Sequence, residues 1–331
     1  MQAIELQTAF FRHLKGKLPN HLSMVDEVAV LLNISNDSAY RRIRGEKTLA
    51  FDEIQILADH YRVSLDRFLG LRTDAFLFVG NLISREKFEM SNHLDGMANR
   101  LAYFANAGQK QMYYLGRDIP LFYTFMFPEL AAFKCYFWSR YNLNYPHLHK
   151  SHFLISDFID LFNEQFKKIS ESYLEIPSTE IWNLDCINTT IRQIDYYRES
   201  KIFSSAEDAI TVFECLEKLV DHIEQQVEYG AKFSFGKPDL SKKIKYTVFI
   251  NEIGVGDNSI LIEIDNERMV YLPHNLINYA MTTDEKFVEY SWQTMNMFLK
   301  KSTLISETGE KDRELFFDTL RQRIVDKKKL I

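Results

Sequence analysis

The 331-residue sequence predicts a mainly α chain in three parts. Five short helices cover residues 1–72, a helical region covers 73–235, and a small α+β unit with an antiparallel meander covers 236–331. Three observations predict this. Apolar residues recur at three- and four-residue spacing through the first two parts. Two amphipathic stretches, 23–32 and 36–44, stand close together across Asn33. From Lys245 the period shortens to two, with turn residues between the runs.

Leu6, Phe10 and Leu14 form the stripe of the first helix. Ser23 is placed to cap the second, where Asp26 and Glu27 favour the positive end of the helix dipole. Val28, Leu31 and Leu32 make its apolar face, and Ala29 is small enough to let another helix cross closely. Asn33 stands where the chain must turn, and Asn tolerates left-handed backbone. Ile34 plugs the core, Ser35 caps a helix over 36–44, and Gly45 ends it. Ile54, Leu57, Ala58 and Tyr61 stripe the next helix, and Ser64 caps a last turn carrying Leu65 and Phe68.

In the helix over 36–44, Ala39 and Ile43 face inward. Asn36, Asp37, Tyr40, Arg41 and Arg44 face outward. A helix of this width enters the major groove of B-DNA, where base edges differ in donor and acceptor pattern. Asn36 is suited to adenine and Arg41 or Arg44 to guanine. Arg42 and Lys47 are assigned to phosphates, which position a protein without reading sequence. The expected DNA-contacting set is therefore Ser35, Asn36, Asp37, Tyr40, Arg41, Arg42, Arg44 and Lys47. The alternative reading of the same pattern is a helical module whose partner is another protein.

These residues resemble a family. The run from Ser23 through "Gly-Glu-Lys" at 45–47 to "Val-Ser-Leu-Asp-Arg-Phe-Leu" at 63–69 is similar to the lambda-repressor-like (XRE-type) helix-turn-helix domain of bacterial regulators. "Asp-Ser-Ala-Tyr-Arg-Arg-Ile-Arg-Gly-Glu-Lys" at 37–47 also resembles helix-turn-helix regulators of a Bacteroidetes group. The likeness is confined to residues 1–72. It implies a transcriptional regulator that binds double-stranded DNA, and it implies no ligand. Two positions depart from the family pattern: Asn33 stands at the usual turn glycine, and Arg42 at a position that is usually apolar.

Net charge is −6 over the whole chain. Residues 1–72 hold ten Lys and Arg against nine Asp and Glu, so +1, and the remainder carries −7. A reader this weakly basic needs two copies for specific affinity, which predicts a homodimer. Cys135, Cys186 and Cys215 are far apart, form no CxxC pair and read as buried thiols of a reducing cytoplasm. The chain enters an amphipathic helix directly, without a signal-peptide pattern. The stretch 119–138 is interrupted by Pro120, Pro128, Glu129 and Lys134, so it reads as core and predicts no membrane partner.

In the middle region helices are expected over 86–107, 156–174, 178–198 and 205–232, with 111–115 a short strand or an extended link. The aromatic run from Phe122 to Tyr141 fits either core packing or the lining of a pocket. Ala209, Phe213, Leu216, Val220, Ile223 and Val227 form a heptad-like stripe, which fits either a dimer seam or a bundle seam. His147, His149 and His152 lack a fourth ligand nearby, so no metal is expected. Strands are expected over 246–251, 259–264 and 269–272, followed by helices over 284–301 and 309–326. Lys327, Lys328 and Lys329 read as a solvated helix end. Neither a nucleophile elbow, a nucleotide fingerprint nor a His-Glu-x-x-His helix is present, so neither an enzyme nor a cofactor is expected. The region beyond residue 72 is left to dimerise or to sense an unidentified small-molecule or protein effector.

Overall fold

The computed structural model describes residues 3–19, 21–70, 75–80, 88–143, 145–238, 241, 243–274 and 277–330. The chain divides into two compact units, Met1–Ala75 and Phe76–Ile331.

The first unit holds α1 (Ala3–Lys15), α2 (Met24–Leu31), α3 (Asn36–Ile43), α4 (Phe51–His60) and α5 (Leu65–Leu69). Local chemistry sets the breaks. The Ser23 hydroxyl accepts from Asp26 N–H and the Ser35 hydroxyl from Ser38 N–H, each satisfying an orphan donor of a first turn. Asn33 takes φ 51 and turns the chain between α2 and α3. Phe10, Phe11, Leu14, Val28, Ala39 and Leu57 are buried together and hold the helices as one core.

The second unit is built on a mixed sheet. Its strands are β1 (Lys110–Gly116), β2 (Ser178–Trp182), β3 (Ala231–Lys232), β4 (Ile244–Ile250), β5 (Ser259–Ile264), β6 (Glu267–His274), β7 (Asn278–Thr282) and β8 (Thr303–Leu304). They lie in the order β3-β4-β2-β1-β5-β6-β7, with β3 pairing the start of β4 and β8 its end. The pairs β1–β2 and β2–β4 are parallel, with Met112 opposite Ser178 and Ser178 opposite Tyr246. From β1 through β5 and β6 to β7 the pairing is antiparallel. Val79 exchanges two backbone hydrogen bonds with Met281 and so covers part of the β7 edge.

Helices cover both faces, as parallel strands require. One face, carrying Met112, Tyr114, Trp182, Tyr246 and Ile262, packs against α6 (Met90–Asn106), α7 (Pro128–Phe137), α8 (Ile155–Leu174), α9 (Asn188–Glu199), α10 (Ala206–Tyr229) and α12 (Glu310–Lys328). The opposite face, carrying Ile181, Leu261 and Val270, packs against Val288, Trp292 and Met295 of α11 (Glu285–Lys300). The alternation of side chains along each strand feeds the two cores separately.

Between the sheet and the larger helical layer lies a polar knot. Glu180 of β2 is fully buried. Its Oε1 accepts from Tyr173 at 2.7 Å, Ser178 at 2.8 Å and Tyr123 at 3.4 Å, and its Oε2 accepts from Tyr246 at 3.3 Å. Lys232, also buried, places Nζ 3.6 Å from the centre of the Tyr173 ring and 5.7 and 5.9 Å from those of Tyr246 and Tyr123. A desolvated cation over aromatic faces is attracted to their ring quadrupoles. Burial pushes the Lys232 ammonium down to about 7 against the opposing pull of Glu180. Burial raises the Glu180 carboxyl, and Lys232 and the hydroxyls draw it back.

The sheet corrects the mainly α expectation. The helical middle and the small α+β unit are not separate bodies, because β1 and β2 come from the first and pair directly with β5 and β4 of the second. The stretch 178–198 is not one helix. Pro177 precedes a strand containing Thr179, Ile181 and Trp182, and the helix starts only at Asn188. Of the expected meander only the β5–β6 pairing is present: β4 is separated from β5 by β2 and β1, and β6 pairs on its other side with β7, a strand outside the three expected. The expected helix over 86–107 begins at Met90, and its residues 86 and 87 lie outside the described residues. The α10 stripe is an internal seam, since Ala209, Phe213, Leu216, Val220, Ile223 and Val227 are all buried in this chain's own core. The lysine tail is anchored: Lys327 pairs with Asp195 at 2.6 Å, and Lys328 pairs with Glu217. Cys135, Cys186 and Cys215 are buried free thiols. Among the described residues no helix is long and apolar enough to cross a membrane.

Candidate nucleic-acid interface

The geometry around α3 begins with how it is held. Gln7 of α1 donates to the carbonyls of Arg42 at 2.7 Å and Lys47 at 2.8 Å, and accepts from Leu49 N–H at 2.9 Å. One side chain thus fixes the segment that follows α3. Gly45 adopts φ 77, and a Cβ there would lie 2.8 Å from Ile4 Cγ2, so α1 and this turn meet without room for a side chain. Ala39 is wholly buried and Ile43 half-buried, which sets the inner side of the helix.

Seven of the eight expected contact residues lie on the outside. Ser35 is the N-cap. Asn36 donates from its amide to Asp26 Oδ1 at 2.8 Å, a bond that ties the start of α3 to α2. Asp37, Arg41 and Lys47 are exposed. Tyr40 is 48% exposed, and the Arg44 guanidinium lies 5.3 Å from its ring centre. Arg44 also approaches Glu46 at 3.6 Å, an exposed pair of little energetic weight.

Arg42 is the correction. It is only 5% exposed, and its Nε and Nη2 bond to Glu53 Oε2 and Oε1 at 3.0 and 2.6 Å. Its Nη1 donates to Ser38 O at 3.1 Å. The guanidinium is spent inside the unit and reaches no phosphate. Its hydrogen bonds to Glu53 hold that carboxyl below the usual range, with the Ala50 N–H adding to the effect and burial opposing it. Arg42 therefore occupies an inward position of the helix, with Glu53 as its counter-charge. With it removed, segment 36–47 offers Arg41, Arg44 and Lys47 against Asp37 and Glu46.

No protein-family model, curated protein or solved structure matches the chain. The interface is thus read from its own residues. The signals missed at the sequence level are the Gln7 clamp, the Asp26–Asn36 bond and the Glu53 partner. Only the last left a trace, in a charge at a position that should be apolar.

The remaining expectations find ordinary places. The His147 ring stacks on Tyr145 with centroids 5.6 Å apart, and no group of three His, Cys, Asp or Glu placed to hold a metal occurs among the described residues. The aromatic run packs mainly on itself and its neighbours: Phe133 against Phe203, Tyr136 against Phe153, and Tyr123 against Tyr173.

Proposed function

We propose that the chain is a cytoplasmic, sequence-specific DNA-binding regulator that acts as a homodimer and not as an enzyme, with α3 as its reading helix. The observation that carries the reading is the division of α3 into two sides. Ala39 and Arg42 are locked inside, while Asn36, Tyr40, Arg41 and Arg44 project outward from a helix capped by Ser35. Exposed amide and guanidinium groups on one side of a groove-sized helix are what direct base readout uses. Ser35 and Asp37 flank the entry of that helix, and Lys47, just beyond it, supplies a phosphate contact. The low net charge predicts modest nonspecific affinity, so two copies on a two-fold site supply the specific affinity.

The test is selection of binding sites from random duplexes with the full-length protein, followed by titration at several salt concentrations. The expected result is a two-fold motif whose half-sites lie one helical turn apart. Arg41→Ala should weaken specific binding by about 1–3 kcal/mol and relax one position of the motif. Failure to enrich any sequence, together with unchanged affinity of Arg41→Ala, refutes the proposal.

A second reading, docking of a protein partner on the same unit, draws on Phe51 and Val30, which are 91% and 79% exposed. A partner held there would bind the Arg41→Ala variant normally and lose affinity with Phe51→Ala.

A further inference from the structure

We propose that a cavity in the second unit, between α6 and strands β1, β5, β6 and β7, binds a small organic carboxylate with an apolar body. The cavity measures about 280 Å³, room for roughly nine waters at their liquid volume. Its inner surface is apolar: Leu101 and Phe104 from α6, Met112 from β1, Ile260 and Ile262 from β5, and Met281 from β7. A mostly apolar enclosure with a few polar groups is the ordinary build of a small-molecule site.

Three observations on α6 specify the occupant. First, Gly96 lies in the middle of the helix, where glycine costs about 1 kcal/mol against alanine. A Cβ there would meet nothing within 4 Å, so packing does not demand the glycine. It faces the cavity and leaves clearance at the mouth. Second, Arg100 stands one turn further along the same row. Its guanidinium lies 5.6 Å from the Tyr271 ring centre, and no carboxylate pairs with it among the described residues. Third, His93 contributes its ring to the cavity wall, while its Nε2 is buried behind that wall without a hydrogen-bond partner. Burial and the nearby Arg100 charge push this imidazole down to about 4, so it is neutral near pH 7.

An exposed guanidinium at the rim beside the Tyr271 ring, a neutral imidazole in the wall and no acidic residue in the lining favour an anion that pairs with Arg100. An apolar tail then covers the inner wall. A carboxylate meets both needs, because guanidinium and carboxylate form charge-assisted hydrogen bonds. The inference uses nothing from the nucleic-acid reading, and its success or failure is independent of DNA binding.

The test is isothermal titration of the full chain with sodium octanoate, with 1-octanol as the uncharged match. The expected result is saturable one-site binding of octanoate and about tenfold weaker binding of octanol, the equivalent of one charged contact. Arg100→Ala should lower octanoate affinity about tenfold and leave octanol unchanged. Gly96→Leu, which fills the mouth and improves helix propensity, should abolish both. No heat with the wild-type chain, equal binding of octanoate and octanol, or octanoate binding undiminished in both variants would overturn the proposal.

Discussion

Glu180→Gln isolates the charge in the buried knot, because the amide keeps the shape and can still accept from Tyr173 and Ser178. Its effect should depend on pH in a definite direction. With Glu180 present, Lys232 sits near 7. Without that anion nothing opposes burial, and the lysine falls further. Above pH 8 Lys232 is largely neutral in both proteins, so the Glu180 charge has no buried cation to hold. Below pH 7 the wild-type lysine takes up its proton while the variant's does so only at lower pH, so the difference grows as pH falls, by at most about 1.4 kcal/mol for each pH unit. Relative to pH 8, Glu180→Gln should lose more stability at pH 7 and on the order of 1 kcal/mol more at pH 6. The raised carboxyl of Glu180 adds in the same direction, since the folded wild type holds that proton more tightly than the unfolded chain does. Urea unfolding followed by tryptophan emission reads this cleanly, because Trp138, Trp182 and Trp292 all lie in the second unit. In a Lys232→Met background the Glu180 carboxyl loses the cation that draws it down and rises further, so the pH dependence of Glu180→Gln that remains there is carried by the carboxyl alone and moves to higher pH. An equal loss at pH 6 and pH 8 in the parent chain would refute the argument.

Other outcomes follow from the same packing. Glu53→Ala strands the Arg42 guanidinium inside the first unit and should destabilise it by about 3 kcal/mol, seen as faster amide exchange across α3. Gly230 closes α10 at φ 59, and a Cβ there would lie 2.5 Å from Glu307 Cγ. Gly230→Ala should therefore cost about 1–2 kcal/mol in the same urea assay. His93 and His222 are both pushed by burial to about 4. The unfolded chain binds their protons between about pH 6.5 and 4 while the folded one does not, so stability falls as pH drops through that window. The His93→Leu, His222→Leu double variant should flatten the decline, and an unchanged acid profile would count against both assignments.

What could be read from the sequence was local. The caps at Ser23 and Ser35 and the turn at Asn33 depend on neighbours within one helical turn, so their chemistry is visible in short windows. The central sheet is different. Ser178–Trp182 is buried on both faces, so it carries no alternation, and its partners β1 and β4 are distant in the chain. Its residues then look like the start of the helix that follows. Arg42 misled for the opposite reason. Charged side chains are almost never buried unless paired, and its partner Glu53 lies on the next helix. The polar knot left no sequence signal at all, since Tyr123, Tyr173, Glu180, Lys232 and Tyr246 are scattered across the middle of the chain.

The sheet order also governs how the polypeptide is made. β1 is synthesised before every other strand of its sheet, yet it ends up in the interior, flanked by β2 and β5. While a ribosome works through the next sixty or so residues, that hydrophobic ribbon has neither neighbour, and its far edge stays open until β5 emerges. The first unit has its own buried core and emerges before any of the sheet. Long-range pairing is slow and leaves sticky surface exposed in the meantime. Yield in the cell should therefore be limited by the later body, with chaperones most needed in the interval between the emergence of β1 and that of β5.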